Sequence, residues 1–206
     1  MSSLRLPLLC VLLAILPVAS GSQPLSKKPA WINDMLMGGY VIVLRHGATV
    51  SNEANTDSMN KNDASAERQL NAEGRAQAQA IGESMRKLDI PVHMVLTSPV
   101  QRAVDSAMLL GFYPVTASPD LAEGASLDER SHRALAFRKL AATPPPLDVN
   151  VVIVSHKPNI VDAFGEDWRD VREGEASVFQ PDWRGGYKLI GRIQANDWTR
   201  WAHPAD

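Results

Sequence analysis

Three short runs of consecutive apolar residues stand out along a chain of otherwise mixed polarity: Tyr40-Val41-Ile42-Val43-Leu44, Val92-His93-Met94-Val95-Leu96 and Val149 to Val154. The first follows Gly38-Gly39 and the third follows the Pro144-Pro145-Pro146 loop. Continuous apolar runs of this length, rich in β-branched side chains, predict strands buried on both faces. Helical spacing fills the intervals. Leu70, Ile81, Met85 and Leu88 fall on one helix face beside Ala72, Ala76 and Ala80, with Asn71 as N-cap and Glu73 in the first turn. Ser98-Pro99 offers a cap and first-turn proline for a helix to about Leu110, where Gly111 stops it. Further helices are expected over Ser131 to Ala141 and from Pro158, with a short helical piece around Trp31 to Met37. Strand alternating with helix predicts an α/β sandwich with a largely parallel sheet. Ser177-Val178-Phe179-Gln180 and Tyr187 to Ile193 are late strands suited to an antiparallel edge.

Two segments fall outside this alternation. From Ala48 to Arg68 the chain is polar, rich in Asn, Ser and Asp, and without period; a connection this long inside a compact domain is typically a lid or binding loop. At the start, Arg5 precedes an apolar run from Leu6 to Ala19, and Val18-Ala19-Ser20-Gly21-Ser22 supplies small residues. This is the pattern of a secretory signal peptide, with cleavage near Ser20 or Ser22. The run is shorter than the roughly 20 residues a membrane-spanning helix needs, so no stable membrane insertion is expected after cleavage. The expected organisation is a signal peptide over 1–22, a lead-in over 23–38 and one domain over 39–206, in a periplasmic or secreted protein.

Composition narrows the classes. The 206 residues are 45% hydrophobic and 21% charged, and 21 Lys and Arg stand against 23 Asp and Glu. Such a chain has apolar surface enough for a packed core. A net charge of −2 gives no electrostatic support to nucleic-acid binding. The single cysteine, Cys10, lies in the leader, so the expected mature chain has no disulfide and no thiolate chemistry.

In a parallel sheet, ligands sit beyond the carboxyl ends of the strands. The first apolar run leads into Arg45-His46-Gly47, the second into Thr97-Ser98-Pro99-Val100-Gln101-Arg102, and the third into Ser155-His156. Taken singly, an Arg-His at a strand end is surface solvation and a Ser-His is a strand cap. Three strand ends together bring two arginines and two histidines to one rim, an arrangement that an anion neutralises and that matches phosphate geometry. Gly47 is expected to let the backbone approach that anion, and Arg102 to lie on the first turn of its helix.

Arg45-His46-Gly47-Ala48-Thr49, Leu70 to Ala78, Ser98-Pro99-Val100-Gln101-Arg102-Ala103 and Ser155-His156-Lys157-Pro158-Asn159 resemble, in order, the motifs of the histidine phosphatase superfamily, in its phosphoglycerate mutase-like branch. The resemblance spans about Tyr40 to Trp201. It implies a three-layer α/β/α sandwich with a mostly parallel central sheet, and a phosphoric monoester hydrolase working through a phosphohistidine. His46 resembles the family nucleophile, and Arg45, Arg102 and His156 resemble its phosphate pocket. Asn52 resembles a further phosphate contact of some members. Leu121-Ala122-Glu123 resembles the setting of the proton donor, with Asp120, Asp128 and Glu129 as neighbouring alternatives. The expected substrate is a small or envelope-sugar phosphate ester, with no cofactor and no metal. A phosphomutase and a non-catalytic phosphate-ester binding module are the alternatives. His93, His132 and His203 are expected to be structural or surface residues, and the late tryptophans to pack in the core or at its edge.

Overall fold

A computed structural model of the protein describes residues 27–50 and 68–204. The expected signal peptide, most of the polar connection after Ala48, and Asn52 lie outside the described residues. Six strands form one sheet: β1 (Val41–Arg45), β2 (Val92–Thr97), β3 (Val115–Ala117), β4 (Asn150–Ser155), β5 (Ala176–Pro181) and β6 (Tyr187–Ile193). Their spatial order is β3-β2-β4-β1-β5-β6. The first four run parallel, β5 is antiparallel to β1, and β6 is antiparallel to β5. The late strands thus supply the expected antiparallel element.

Among the described residues six α-helices accompany the sheet: α1 (Trp31–Asp34), α2 (Ala72–Lys87), α3 (Gln101–Leu109), α4 (Leu127–Ala141), α5 (Lys157–Phe164) and α6 (Ala195–Ala202). Because a strand alternates its side chains, a strand apolar throughout serves two cores. Ile42, Leu44, Val152 and Val154 face Ile81 and Met85 of α2, Ala103 and Ala107 of α3 and Trp198 of α6. Val41, Val43 and Ile153 face Phe137 of α4 and Ile160 and Ala163 of α5 on the other side. The result is a three-layer α/β/α sandwich. No helix of the described residues is long and apolar enough to cross a membrane.

Strand register prepares the site. Arg45 of β1 lies opposite Ser155 of β4, and Thr97 of β2 lies opposite Val154. The residues that follow, His46, His156 and Ser98, therefore leave the sheet side by side.

Several local expectations change. Asn71 does cap α2, its Oδ1 accepting from the Gly74 amide at 2.8 Å. Ser98-Pro99 does not begin α3, which starts at Gln101 because the backbone is still extended at Val100, its N-cap; the Ser98 hydroxyl lies 2.8 Å from the His156 ring. α4 begins at Leu127 rather than Ser131, and the Ser126 hydroxyl caps it by accepting from the Glu129 amide. Nor is β2 buried along its whole length: His93 is exposed. β3 covers only Val95 to Thr97, and the register with β4 shifts between Val92 and Met94. β3 itself is too short to leave a pattern, and α6 hides in a polar-looking tail whose two tryptophans, Trp198 and Trp201, are buried. Trp183 departs from the packing role, lying 85% exposed between β5 and β6.

Candidate active site

His46 follows the last residue of β1 and is 2% exposed. Its backbone amide donates to the Ser155 carbonyl at 3.1 Å, fixing the chain as it leaves the sheet. Its Nδ1 lies 2.8 Å from the Gly47 carbonyl. A carbonyl only accepts, so Nδ1 carries the proton and Nε2 keeps its lone pair. That lone pair accepts from Arg102 Nε at 3.3 Å. Burial, with the charges of Arg102, Arg45 and Arg68 adding to it and the Gly47 carbonyl opposing it, pushes the His46 pKa down to about 3. The imidazole is neutral at physiological pH.

Gly47 does not offer its backbone to an anion as expected. Its amide donates to Ser106 Oγ at 3.1 Å, and a Cβ there would meet the Gly74 carbonyl oxygen at 2.5 Å. A Cβ on Gly74 would in turn strike the Ala48 backbone. The two glycines let the turn after His46 lie directly on the first turn of α2.

Arg102, on the first turn of α3, is 2% exposed and donates from Nη2 to Glu123 Oε1 at 2.9 Å. Arg45 donates from Nη1 to the Val171 carbonyl at 2.8 Å and from Nη2 to Glu173 Oε1 at 3.3 Å, while its buried Nε has no partner among the described residues. His156 is fully buried, and its ring centroid is 5.3 Å from that of His46. Ser98 Oγ accepts from the Val100 amide at 3.3 Å and shares a hydrogen bond with His156 Nε2 at 2.8 Å. His156 Nδ1 has no hydrogen-bond partner among the described residues and lies 3.8 Å from Glu123 Oε1. Burial and the nearby cations hold this histidine well below its ordinary pKa.

Glu123 is the one of the four sequence-nominated carboxylates that lines the cleft with His46, Arg45 and His156. Glu129 instead accepts from the Ala125 amide at 2.7 Å at the start of α4. Three side chains grip the backbone leading to Glu123: Ser155 Oγ donates to the Leu121 carbonyl, Asn159 Nδ2 to the Ala122 carbonyl and Arg133 Nη1 to the Glu123 carbonyl, at 3.1, 2.6 and 2.6 Å. Below them, Leu121 is fully buried. Sequence reasoning missed Ser98, Asn159, Glu173 and Arg68. Ser98 and Asn159 sit inside the quoted motifs, whereas Glu173 is 128 positions from Arg45 and carried no local signal. Among the described residues no three His, Cys, Asp or Glu side chains are placed to hold a metal ion.

The sequence model of the histidine phosphatase superfamily, branch 1, matches residues 41–173. The chain belongs to this superfamily. No curated protein matches it by sequence. Among solved structures it is similar to the protein histidine phosphatase SixA in complex with tungstate, at TM-score 0.55 and 16% identity over 77% of this chain and 98% of that one. It is also similar to a mycobacterial glucosyl-3-phosphoglycerate phosphatase, at TM-score 0.52 and 19% identity over 74% and 97%. Phosphoserine phosphatase from Entamoeba histolytica matches at TM-score 0.52 and 14% identity over 77% and 98%. At these identities the likeness is one of fold.

Proposed function

We propose that the protein is an exported phosphomonoesterase that acts on small phosphate esters through a phosphohistidine on His46. The observation that carries this reading is the Nδ1 contact of His46 with the Gly47 carbonyl, which leaves an unprotonated Nε2 facing Arg102. A buried neutral imidazole so oriented is a nucleophile ready for use. The buried Arg45 Nε and His156 Nδ1, without hydrogen-bond partners among the described residues, are polar atoms left for a ligand, and phosphoryl oxygens offer several contacts.

In this mechanism the phosphoryl group settles among Arg45, Arg102 and His156 and displaces Arg102 Nε from the His46 lone pair. Nε2 attacks phosphorus, the bond from phosphorus to the ester oxygen breaks, and the leaving oxygen takes the proton of the Glu123 carboxyl group. Before substrate arrives, Glu123 is held by Arg102. A phosphoryl dianion on Arg102 takes over that ion pair and leaves the carboxyl group free to hold a proton and give it up. Water then attacks phosphorus, Glu123 accepts its proton, the bond from Nε2 to phosphorus breaks, and inorganic phosphate departs. The arginine charges spread over the equatorial oxygens stabilise both transition states. Two of the structures of similar fold are complexes with the oxyanions tungstate and VO3, which supports a phosphate-ester reading. Export rests on the apolar run and small residues before Gln23.

Acid-quench trapping tests the reading. Mixing the protein with a labelled phosphomonoester should yield an acid-labile, base-stable phosphoprotein, and His46→Ala should yield none. Turnover by His46→Ala within about tenfold of wild type would overturn it.

A further inference from the structure

Arg45 is held by a segment far along the chain, residues 171–175, which runs against the end of β1. The Arg45 amide donates to the Glu175 carbonyl at 3.0 Å, and the Gly174 amide donates to the Arg45 and His46 carbonyls, each at 3.1 Å. The segment is pinned at both ends. Val171 is buried in the core below α4 and α5. Glu175 is buried too, and its carboxylate accepts from Arg192 Nε, from Gln194 Nε2 at 2.7 Å and from the Arg172 amide at 3.1 Å. A buried carboxylate so fully partnered makes its surroundings rigid. Glu173, between the two anchors, therefore projects from a fixed backbone. Its Oε1 accepts from Thr49 Oγ1 at 3.2 Å, which orients the carboxylate, and from Arg45 Nη2 at 3.3 Å. Arg45 Nη1 is taken by the Val171 carbonyl at 2.8 Å. With both terminal nitrogens bound to one segment, the planar guanidinium has one orientation, and the buried Nε, which has no partner among the described residues, is left for an incoming anion. Burial disfavours the charge of Arg45, and Arg68 and Arg102 repel it; Glu173 is the foremost group opposing them.

We propose that Glu173 is the positioning residue of the phosphate pocket: it fixes the Arg45 guanidinium for the phosphoryl group and acts on the reaction only through Arg45. The inference rests on the phosphomonoesterase reading and adds to that site a residue the sequence did not mark. A donor fixed before the substrate arrives needs no reorganisation when charge develops on phosphorus.

A double-variant cycle tests it, read by kcat/KM on p-nitrophenyl phosphate and by the calorimetric Kd of orthovanadate. Glu173→Ala should lower kcat/KM about tenfold and weaken vanadate binding to a similar extent, the scale on which a misplaced group acts. Glu173→Gln should restore both to within about threefold of wild type, because its amide oxygen still accepts from Arg45 Nη2 and Thr49 Oγ1. In an Arg45→Ala background, Glu173→Ala should cost less than about twofold more, since the side chain it positions is gone. Wild-type kinetics and vanadate affinity in Glu173→Ala would overturn the proposal. So would a Gln variant no better than the Ala variant, or an equal loss with and without Arg45, the result of a residue that only supports the fold. A wild-type protein that binds vanadate but hydrolyses no ester would overturn the phosphomonoesterase reading and leave the vanadate cycle to decide on Glu173. A wild-type protein that does neither would overturn both.

Discussion

Arg102 Nε donates to Nε2 of His46 at 3.3 Å, so the cation sits on the lone pair that the proposed chemistry uses. The same guanidinium reaches Glu123 through Nη2. One planar group therefore sets the distance between nucleophile and acid, and the phosphoryl group must enter by exchanging with both.

Arg102→Lys isolates the value of that fork. An ammonium keeps the charge but cannot reach His46 and Glu123 in one fixed plane. We expect kcat to fall by about 10²-fold or more, the scale on which a preorganised donor to a transition state acts. Steady-state kinetics decide: a rise in KM with kcat unchanged would make Arg102 a uniform-binding residue.

Glu123→Gln should show its effect through the leaving group. An acid matters most when the departing oxygen is strongly basic, so the substitution should slow an alkyl phosphate far more than p-nitrophenyl phosphate. Asp128→Asn and Glu129→Gln should lack that contrast. If Asp120→Asn or Asp128→Asn showed it instead, the acid would be that residue.

Much of this site was legible because parallel strands deliver their C-terminal residues to one rim, and Arg45, His46, Arg102 and His156 all sit within a few residues of a strand end. The three apolar runs made those ends visible. What escaped was set by tertiary context. Ser98 looked like a helix cap because Ser-Pro is a common helix start, but the backbone stays extended through Val100 and the Ser98 hydroxyl lies against His156. Gly47 looked like an anion contact, yet the demand for a missing Cβ comes from Gly74 on α2. β3 is three residues long, below the length at which periodicity exists. Glu173 and Val171 reach Arg45 across more than a hundred positions, a pairing that no local pattern encodes.

Asn159 gives a test of how the acid is positioned. Its Nδ2 holds the Ala122 carbonyl at 2.6 Å, one residue before Glu123. Asn159→Ala should therefore reproduce the leaving-group signature of Glu123→Gln in weaker form, with about a tenfold loss on an alkyl phosphate and little on p-nitrophenyl phosphate. A purely structural role would slow both substrates alike.

The glycine contact predicts a stability cost. Gly47→Ala and Gly74→Ala each force a Cβ against backbone atoms that have no room to yield, and overpacking of this kind typically costs about 1–3 kcal/mol. Urea denaturation should show both variants destabilised, with activity reduced because the strained turn carries His46. Ala at Gly165, where a Cβ meets nothing within 4 Å but φ is +101°, should be destabilising through the backbone alone and leave the cleft intact.

Acid should destabilise the fold through the same buried imidazoles. In the unfolded chain a histidine titrates near about 6.5, whereas His46 in the fold is pushed down to about 3 and His156 is held well below its ordinary value. Between those limits the unfolded chain binds protons that the native protein does not, so the unfolding free energy falls as pH falls. The stabilisation is complete above about pH 6.5 and is lost progressively on acidification, by at most about 1.4 kcal/mol per pH unit for each group. Urea midpoints measured from about pH 7.5 to about pH 5, above the range where most carboxylates titrate, should decline more steeply for wild type than for His46→Gln/His156→Gln. Parallel slopes would mean that neither ring is kept neutral by the fold, and the unprotonated Nε2 on which the proposed attack depends would lose its physical basis.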